Sequence, residues 1–372
     1  MFSVGRPTRA EIDLSAIRHN VQALKSLTRP GTRFCAVVKA DGYGHGAAQV
    51  AAEALKAGAD FLAVAILDEA LLLRAAGFTG PILILGYTPP RQAHLVVENG
   101  LSQTVFNLEQ TEALGQAAEA LGLTAKVHLK IDTGMGRLGV PPGQAADFAA
   151  GADRRNNLLI EGVFTHFATA DHRDKSQARK QFSAFSQALA AIEARGLTIP
   201  IRHAANSAAL LDMPETHLDM VRAGIAIYGL RPSAETGRPV ELKPAMRFKT
   251  VIAQLKEVPA GAPLSYGGAY LTLAPARIAT LPVCNADGWS RRLTGLARVL
   301  VDGQSAPLVG RICMDQCLAD VSALKGLSEG DEVLLFGGPE LPADEVADKL
   351  GSINYEVTCM VHKRVPRVYL GG

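Results

Sequence analysis

At 372 residues, with 48% hydrophobic and 20% charged side chains, the chain is long enough for two cores and too apolar to be disordered. A net charge of +2 provides no field for a nucleic acid or an anionic membrane, and no apolar run is long enough to span a bilayer. Met1-Phe2-Ser3-Val4-Gly5-Arg6-Pro7 lacks the apolar segment of a secretory signal. Cys35, Cys284, Cys313, Cys317 and Cys359 are odd in number and contain no C-x-x-C pair, so the expected compartment is the reducing cytoplasm. Cys313 and Cys317 have helical spacing, but no nearby histidine completes a zinc site, and no metal is expected.

Over the first two-thirds of the chain, short β-branched apolar runs alternate with longer amphipathic ones. Strands are expected at 34–39, 61–65, 82–85, 102–106, 126–131, 160–166, 201–205 and 220–222. Helices are expected at 47–57, 68–76, 91–98, 108–121, 142–150, 177–195 and 207–211. Phe182, Phe185, Leu189 and Ile192 mark one such helical face, and Gly58, Gly77 and Gly122 stand where helices commonly end. Strict alternation predicts an α/β fold, a (β/α)8 TIM-type barrel over residues 1–240. An open doubly wound sheet is the alternative; the glycine spacing of Asp41-Gly42-Tyr43-Gly44-His45-Gly46 is wrong for its dinucleotide loop. Leu230–Pro244, with three prolines, reads as a linker. Beyond it, β-rich runs at 248–255, 277–283, 297–301, 308–312 and 331–336 predict an all-β domain over 241–372, with a hairpin at Asp302-Gly303.

In a barrel of this kind, chemistry gathers where the strands end. Lys39 closes the first strand, and partial desolvation there makes an amine a competent nucleophile toward an aldehyde. By itself Lys39-Ala40-Asp41-Gly42 fits an ordinary snorkelling lysine before a turn. The company it keeps argues otherwise. Arg137 follows the fifth strand, His166 ends the sixth, His203 lies in the seventh and Arg222 in the eighth. Packing poorly explains two cations, two imidazoles and an amine arriving from five strands. Ser207 and Gly224-Ile225 follow the last two strands, where this fold commonly holds a phosphate on backbone N–H groups. A strand-end lysine facing a phosphate cradle points to covalently held pyridoxal 5′-phosphate.

The chain resembles the alanine racemases, fold-type III pyridoxal-phosphate enzymes of bacteria, over essentially its whole length. The motifs that carry the resemblance are Ala36–Gly46, Lys130–Gly139, Val221–Gly229, Leu264-Ser265-Tyr266-Gly267-Gly268, Gly310–Gln316 and Ile353-Asn354-Tyr355-Glu356-Val357. It implies that Lys39 holds the cofactor and acts as the base for D-alanine, with Tyr266 as the base for L-alanine. His166 would contact Tyr266, and His203 would link to Arg222, which faces the pyridine nitrogen. Arg137 and the Met314 backbone N–H would bind the substrate carboxylate. Tyr43, Ser207, Gly224, Ile225 and Tyr355 would hold the phosphate, and Lys130 would be carbamylated. Asp171, Arg292, Arg311 and Ile353 match the substrate corridor. The resemblance further implies a homodimer whose β-domain completes the partner's site, and D-alanine supply for peptidoglycan. Asn285 stands where relatives usually carry tyrosine. A broader-specificity or serine racemase, a fold-type III decarboxylase and a non-enzymatic pyridoxal-phosphate carrier are the competing readings. The last of these lacks the β-domain, and the decarboxylase would be expected to place a carboxylate at the position of Arg222.

Overall fold

The computed structural model describes residues Gly5 to Gly372. Two compact units emerge. The larger holds Ile17–Gly42 and Ala47–Leu242; the smaller takes the described residues 5–16, the short loop Tyr43–Gly46 and Lys243–Gly372. The division therefore crosses the chain several times instead of cutting it once. No helix among the described residues is long and apolar enough to cross a membrane.

Strand β1 (Arg9–Asp13) belongs to the smaller unit. The next eight strands form the larger one: β2 (Arg33–Val37), β3 (Phe61–Val64), β4 (Ile82–Ile84), β5 (Ser102–Val105), β6 (Ala125–Lys130), β7 (Leu158–Phe164), β8 (Ile201–His203) and β9 (Met220–Ala223). They run in the order β8-β7-β6-β5-β4-β3-β2-β9, and every neighbouring pair is parallel. Arg222 N donates to Ala205 O and Asp219 N to Arg202 O, which brings β9 against β8 and nearly closes the ring. Strands β3, β4 and β5 are buried at every residue, as expected where helices cover the outside and side chains fill the inside.

Helices fill the intervals as the periodicity predicts. Leu108–Leu121 is the clearest. Asn107 accepts the Gln110 N–H at its start, and Gly122, left-handed at φ 65°, closes its end. Expected helices at 91 and 142 open instead as 3-10 turns, Pro90–Gln92 and Pro142–Gln144, and the α-helical part follows. A proline near the start fits such a turn because its missing N–H has no helical partner to lose.

The smaller unit is built on a nine-stranded sheet. Its strands are β10 (Met246–Val251), β11 (Gln254–Val258), β14 (Ala276–Leu281), β15 (Arg298–Val301), β16 (Gln304–Val309), β17 (Cys317–Asp320), β18 (Glu332–Phe336) and β19 (Arg367–Leu370), together with β1. Two short strands, β12 (Pro263–Leu264) and β13 (Tyr270–Leu271), pair separately. The expected strand at 248–255 proves to be two. Ile252 N donates to Asp331 O and Ala253 N to Thr280 O, so the chain changes neighbours between β10 and β11. Asp302 (φ 48°) and Gly303 (φ 73°) join β15 to β16, the doubly left-handed turn that suits the twist of a hairpin. Cys317 opens strand β17, so the spacing of Cys313 and Cys317 is not helical. Helices Ala343–Leu350 and Asn354–Met360 interrupt a half that the sequence pattern marked as wholly β.

Replacing Asn107 with alanine leaves the Gln110 N–H without its side-chain acceptor. Urea unfolding should show a loss of about 1 kcal/mol. An unchanged midpoint would show that water caps that helix equally well.

Candidate active site

The hydrogen-bonded ladder of β2 stops two residues before Lys39, although Val38 N still reaches Ala63 O at 2.8 Å. Directly after the lysine the backbone turns left-handed. Ala40, Asp41 and Tyr43 have φ of 52°, 52° and 51°, and Gly42 lies among them at 60°. Each non-glycine residue in that region costs roughly 1–2 kcal/mol, so the turn must be held from outside. Glu69 does part of this. Its carboxylate accepts Ala40 N at 2.6 Å and Ala65 N at 2.8 Å, joining the ends of the first two barrel strands. Asp41 Oδ1 accepts Ala47 N at 2.9 Å, which starts the following helix.

Arg222, in β9, is the centre of the barrel mouth. Its Nη1 lies 2.9 Å from His203 Nδ1; its Nη2 donates to Thr165 O at 2.9 Å and Ala204 O at 3.1 Å, with His166 Nδ1 at 3.4 Å. A guanidinium only donates, so both imidazoles meet it with an unprotonated Nδ1. Burial pulls the Arg222 pKa down to about 10, still well above neutrality. Phe164, the last residue of β7, packs the group together. His203 stacks on its ring at 4.7 Å, the Lys130 Nζ lies 4.4 Å from its centroid, and the Arg222 Cζ 5.1 Å.

Lys130 ends β6 and is buried. Burial, then the charges of Arg222 and Arg137, hold its pKa well below the usual lysine range. Arg137 lies in the loop that follows. Asp132 Oδ1 organises that loop by accepting Gly134, Met135 and Gly136 N–H at 3.0, 2.9 and 3.0 Å. Burial favours protonation of Asp132, but these three donors outweigh it and keep the carboxyl below its ordinary pKa. His166 is held well below the ordinary imidazole pKa by burial first, then by Arg222, Lys130, Arg137 and Lys39. Cations therefore crowd this mouth.

Beyond β8, Ser207 opens a short helix, Ser207–Asp212, capped by Asn206 Oδ1 on Ala209 N. Ser207 Oγ accepts Gly224 N at 2.8 Å and Ala226 N at 3.4 Å, tying the loop after β9 to the start of that helix. Ile225 begins a 3-10 turn whose Tyr228 hydroxyl donates to Val37 O at 3.0 Å, at the end of the strand that precedes Lys39. Backbone donors from the last two strands are thus gathered in one place.

In the smaller unit, the Tyr43 and Tyr355 rings lie 6.0 Å apart. Gly44 (φ 83°) sits directly on Thr358 O, where any Cβ would collide with the carbonyl. Tyr266 and Met314 share a second place in that unit. They are 68% and 66% exposed and line, with Cys313 and Asp315, an open depression of about 690 Å³. Ser265 enters it with φ 64°, steadied by its hydroxyl on Arg311 O at 2.7 Å. Asn285 is exposed, and Ala286 N donates to Met314 O at 3.1 Å, so the Asn285 turn braces the Met314 loop.

The structure thus brings together Arg222, His203, His166 and Lys130, joins Ser207 to Gly224, sets Tyr43 beside Tyr355, and pairs Tyr266 with Met314. Sequence reasoning missed Glu69, Phe164, His128 and Glu161. The signal for His128 was present in Val127-His128-Leu129-Lys130, where a histidine interrupts a strand buried on all sides.

Fold and mouth define a β/α-barrel protein with a cation-rich mouth and a lysine just beyond the end of its first barrel strand. Residues 12–232 match the model for the alanine racemase N-terminal domain, and residues 245–369 that for the alanine racemase C-terminal domain. The chain is 57% identical to an alanine racemase of Desulfovibrio desulfuricans, over 100% of both chains. Identity to that of Desulfosudis oleivorans is 54%, over 98% of this chain and 96% of the relative. Among solved structures, the alanine racemase of Clostridium difficile 630 superposes with a TM-score of 0.96 at 41% identity, covering 99% of this chain and 97% of that one. The Bacillus anthracis alanine racemase with bound L-Ala-P gives 0.94 at 40% identity, covering 100% and 97%. The chain belongs to the alanine racemase family, pyridoxal-phosphate-dependent isomerases that interconvert L- and D-alanine.

His128 and His203 are fully buried, and burial is the first cause that lowers the pKa of each below its ordinary 6.5. The unfolded chain takes up these protons near pH 6.5 and the folded chain does not, so their contribution is intact above that pH and is lost as the pH falls below it. Urea unfolding should weaken by up to about 1.4 kcal/mol per pH unit for each imidazole. A flat profile between pH 7 and 5 would contradict their being buried neutral.

Proposed function

We propose that Lys39 carries the cofactor and exchanges the α-proton of alanine on one face, and that Tyr266 exchanges it on the other. The observation that carries this reading is the concentration of Lys39, Lys130, Arg137 and Arg222 around one imidazole, together with the Ser207–Gly224 backbone cradle after the last two strands. Such a donor set fits an anionic, phosphate-bearing cofactor and a substrate carboxylate. When bound, pyridoxal phosphate supplies an aldehyde that captures amines and an electron sink that acidifies the α-carbon.

The side chains take distinct parts. Tyr43, Ser207, Gly224, Ile225 and Tyr355 bind the phosphate. Arg137 and the Met314 N–H bind the substrate carboxylate. Arg222 faces the pyridine nitrogen as a donor that keeps its own proton, and His203 holds it there. His166 lends its unprotonated ring to the same network and, as the family resemblance implies, neighbours Tyr266 of a second copy. Tyr266 depends on such neighbours to take up and return a proton. Lys130, whose amine is biased toward the neutral form, attacks carbon dioxide and releases a proton to solvent. The carbamate so formed would attract Arg137 where an ammonium repels it.

Tyr266 and Met314 complete the site of a second copy of the chain. Their high exposure supports this, since a base for carbon acids needs a dry setting. The product serves peptidoglycan in the cytoplasm, a setting with which five free cysteines agree.

Borohydride treatment followed by peptide mapping should fix the cofactor to Lys39; label on any other lysine would sink the assignment. Arg222→Glu should give detectable pyruvate from alanine, because a carboxylate leaves the ring nitrogen protonated and favours transamination; an unchanged product profile refutes the role of Arg222. Mixing inactive Lys39→Ala with inactive Tyr266→Phe protein should restore part of the activity through hybrid dimers. No recovery after verified subunit exchange would show that the sites are not shared.

A further inference from the structure

We infer that His128 and Glu161 are positioning residues that fix, through His203, the direction in which Arg222 donates its hydrogen bonds. The inference rests on the reading that Arg222 faces the cofactor ring. Its geometry lies wholly within the barrel.

From Arg222 the contacts continue inward. His203 Nε2 lies 2.8 Å from His128 Nδ1, and His128 Nε2 lies 3.0 Å from Glu161 Oε2, which also accepts the Ser102 hydroxyl at 2.5 Å. Both rings are fully buried, whereas the Glu161 side chain keeps 14% of its exposure. Burial would raise the Glu161 pKa, yet the bonds from His128 and Ser102 outweigh it and hold the carboxyl below its ordinary value. One end of the chain is therefore a group that can only donate, and the other a group that can only accept.

Two fixed ends leave one arrangement for the neutral rings between them. His203 Nδ1 accepts from Arg222, so its proton sits on Nε2 and is given to His128 Nδ1. His128 then carries its own proton on Nε2 and gives it to Glu161. Reversing either ring would set two N–H groups, or two lone pairs, against each other where no water can intervene. An orphaned buried group costs about 1–3 kcal/mol, enough to select one tautomer.

The surrounding packing is shaped to this chain. Gly162, paired with His128 across β6 and β7, leaves room for the ring; a Cβ there would overlap His128 Nδ1 and Cε1. Phe164 lies flat against His203, with 9° between the planes. Neither contact is needed for a strand as such, and both fix an imidazole.

The consequence is that Glu161 supplies the far negative end of a line of dipoles whose near end is Arg222. Without it the rings can reverse, and a reversed His203 would point an N–H at the guanidinium and displace it. The role is orientation, as for a carboxylate that sets the tautomer of a catalytic imidazole.

Histidine-selective 15N spectra of the wild-type holoenzyme at neutral pH should show His128 and His203 neutral, each protonated on Nε2. Either ring protonated on Nδ1, or doubly protonated, overturns the inference without any variant having to fold. Glu161→Gln, whose amide can donate as well as accept, should add the second tautomer and lower kcat about tenfold, the size of effect when a ligand's outer partner is lost. KM for alanine should stay within about twofold, because the residue touches neither substrate nor cofactor. Unchanged kcat, or a loss confined to KM, overturns the positioning role. If borohydride labels some lysine other than Lys39, the cofactor reading fails while the tautomer result stands; correct labelling with reversed tautomers condemns this inference alone.

Discussion

A buried guanidinium can be surrounded only by groups that accept, and that one constraint organises the barrel mouth. Arg222 is placed by β9 where water does not reach, and two carbonyls and two imidazole nitrogens answer it. Because Arg222 cannot give up its charge, the rings beside it must stay neutral. With the rings neutral, the charge that reaches His166 from Arg222, Lys130, Arg137 and Lys39 is all positive. The depressed Lys130 amine follows from burial beside the same cations.

The second organising element is strain. Three non-glycine residues after Lys39 occupy left-handed backbone, a choice that no local preference supports. Glu69 and Asp41 hold that turn through backbone N–H groups, and Tyr228 anchors Val37 just before it. A relaxed right-handed turn would set Lys39 differently at the strand end. Stability is spent here on fixing the backbone beside one amine.

Much of this was legible in the residues. Each barrel strand could be placed to within about two residues, because apolar runs buried on both faces leave a strong pattern. Lys39, His203 and Arg222 stood out as polar residues at the ends of such runs. By contrast, Arg9–Asp13 offered no hint that it would pair with β10 and β19, because strand partners distant in sequence leave no local mark. The break between β10 and β11 was hidden for the same reason: the run 248–255 is uniformly strand-like, and only its two different neighbours divide it. His128 and Glu161 were overlooked because neither stands at a strand end, where function was sought.

By itself, the sequence determined the alternation that builds a barrel, the lysine at the first strand end, the capped helices and the motifs of a family. These depend on contacts within a few residues, and side-chain spacing records them. Tertiary structure alone decided which nitrogen meets which, that four strands would supply one line of donors and acceptors, and that Glu69 would clamp two strand ends. Hydrogen-bond direction belongs to pairs of groups, and only closing the sheet into a ring brings those pairs within 3 Å of each other.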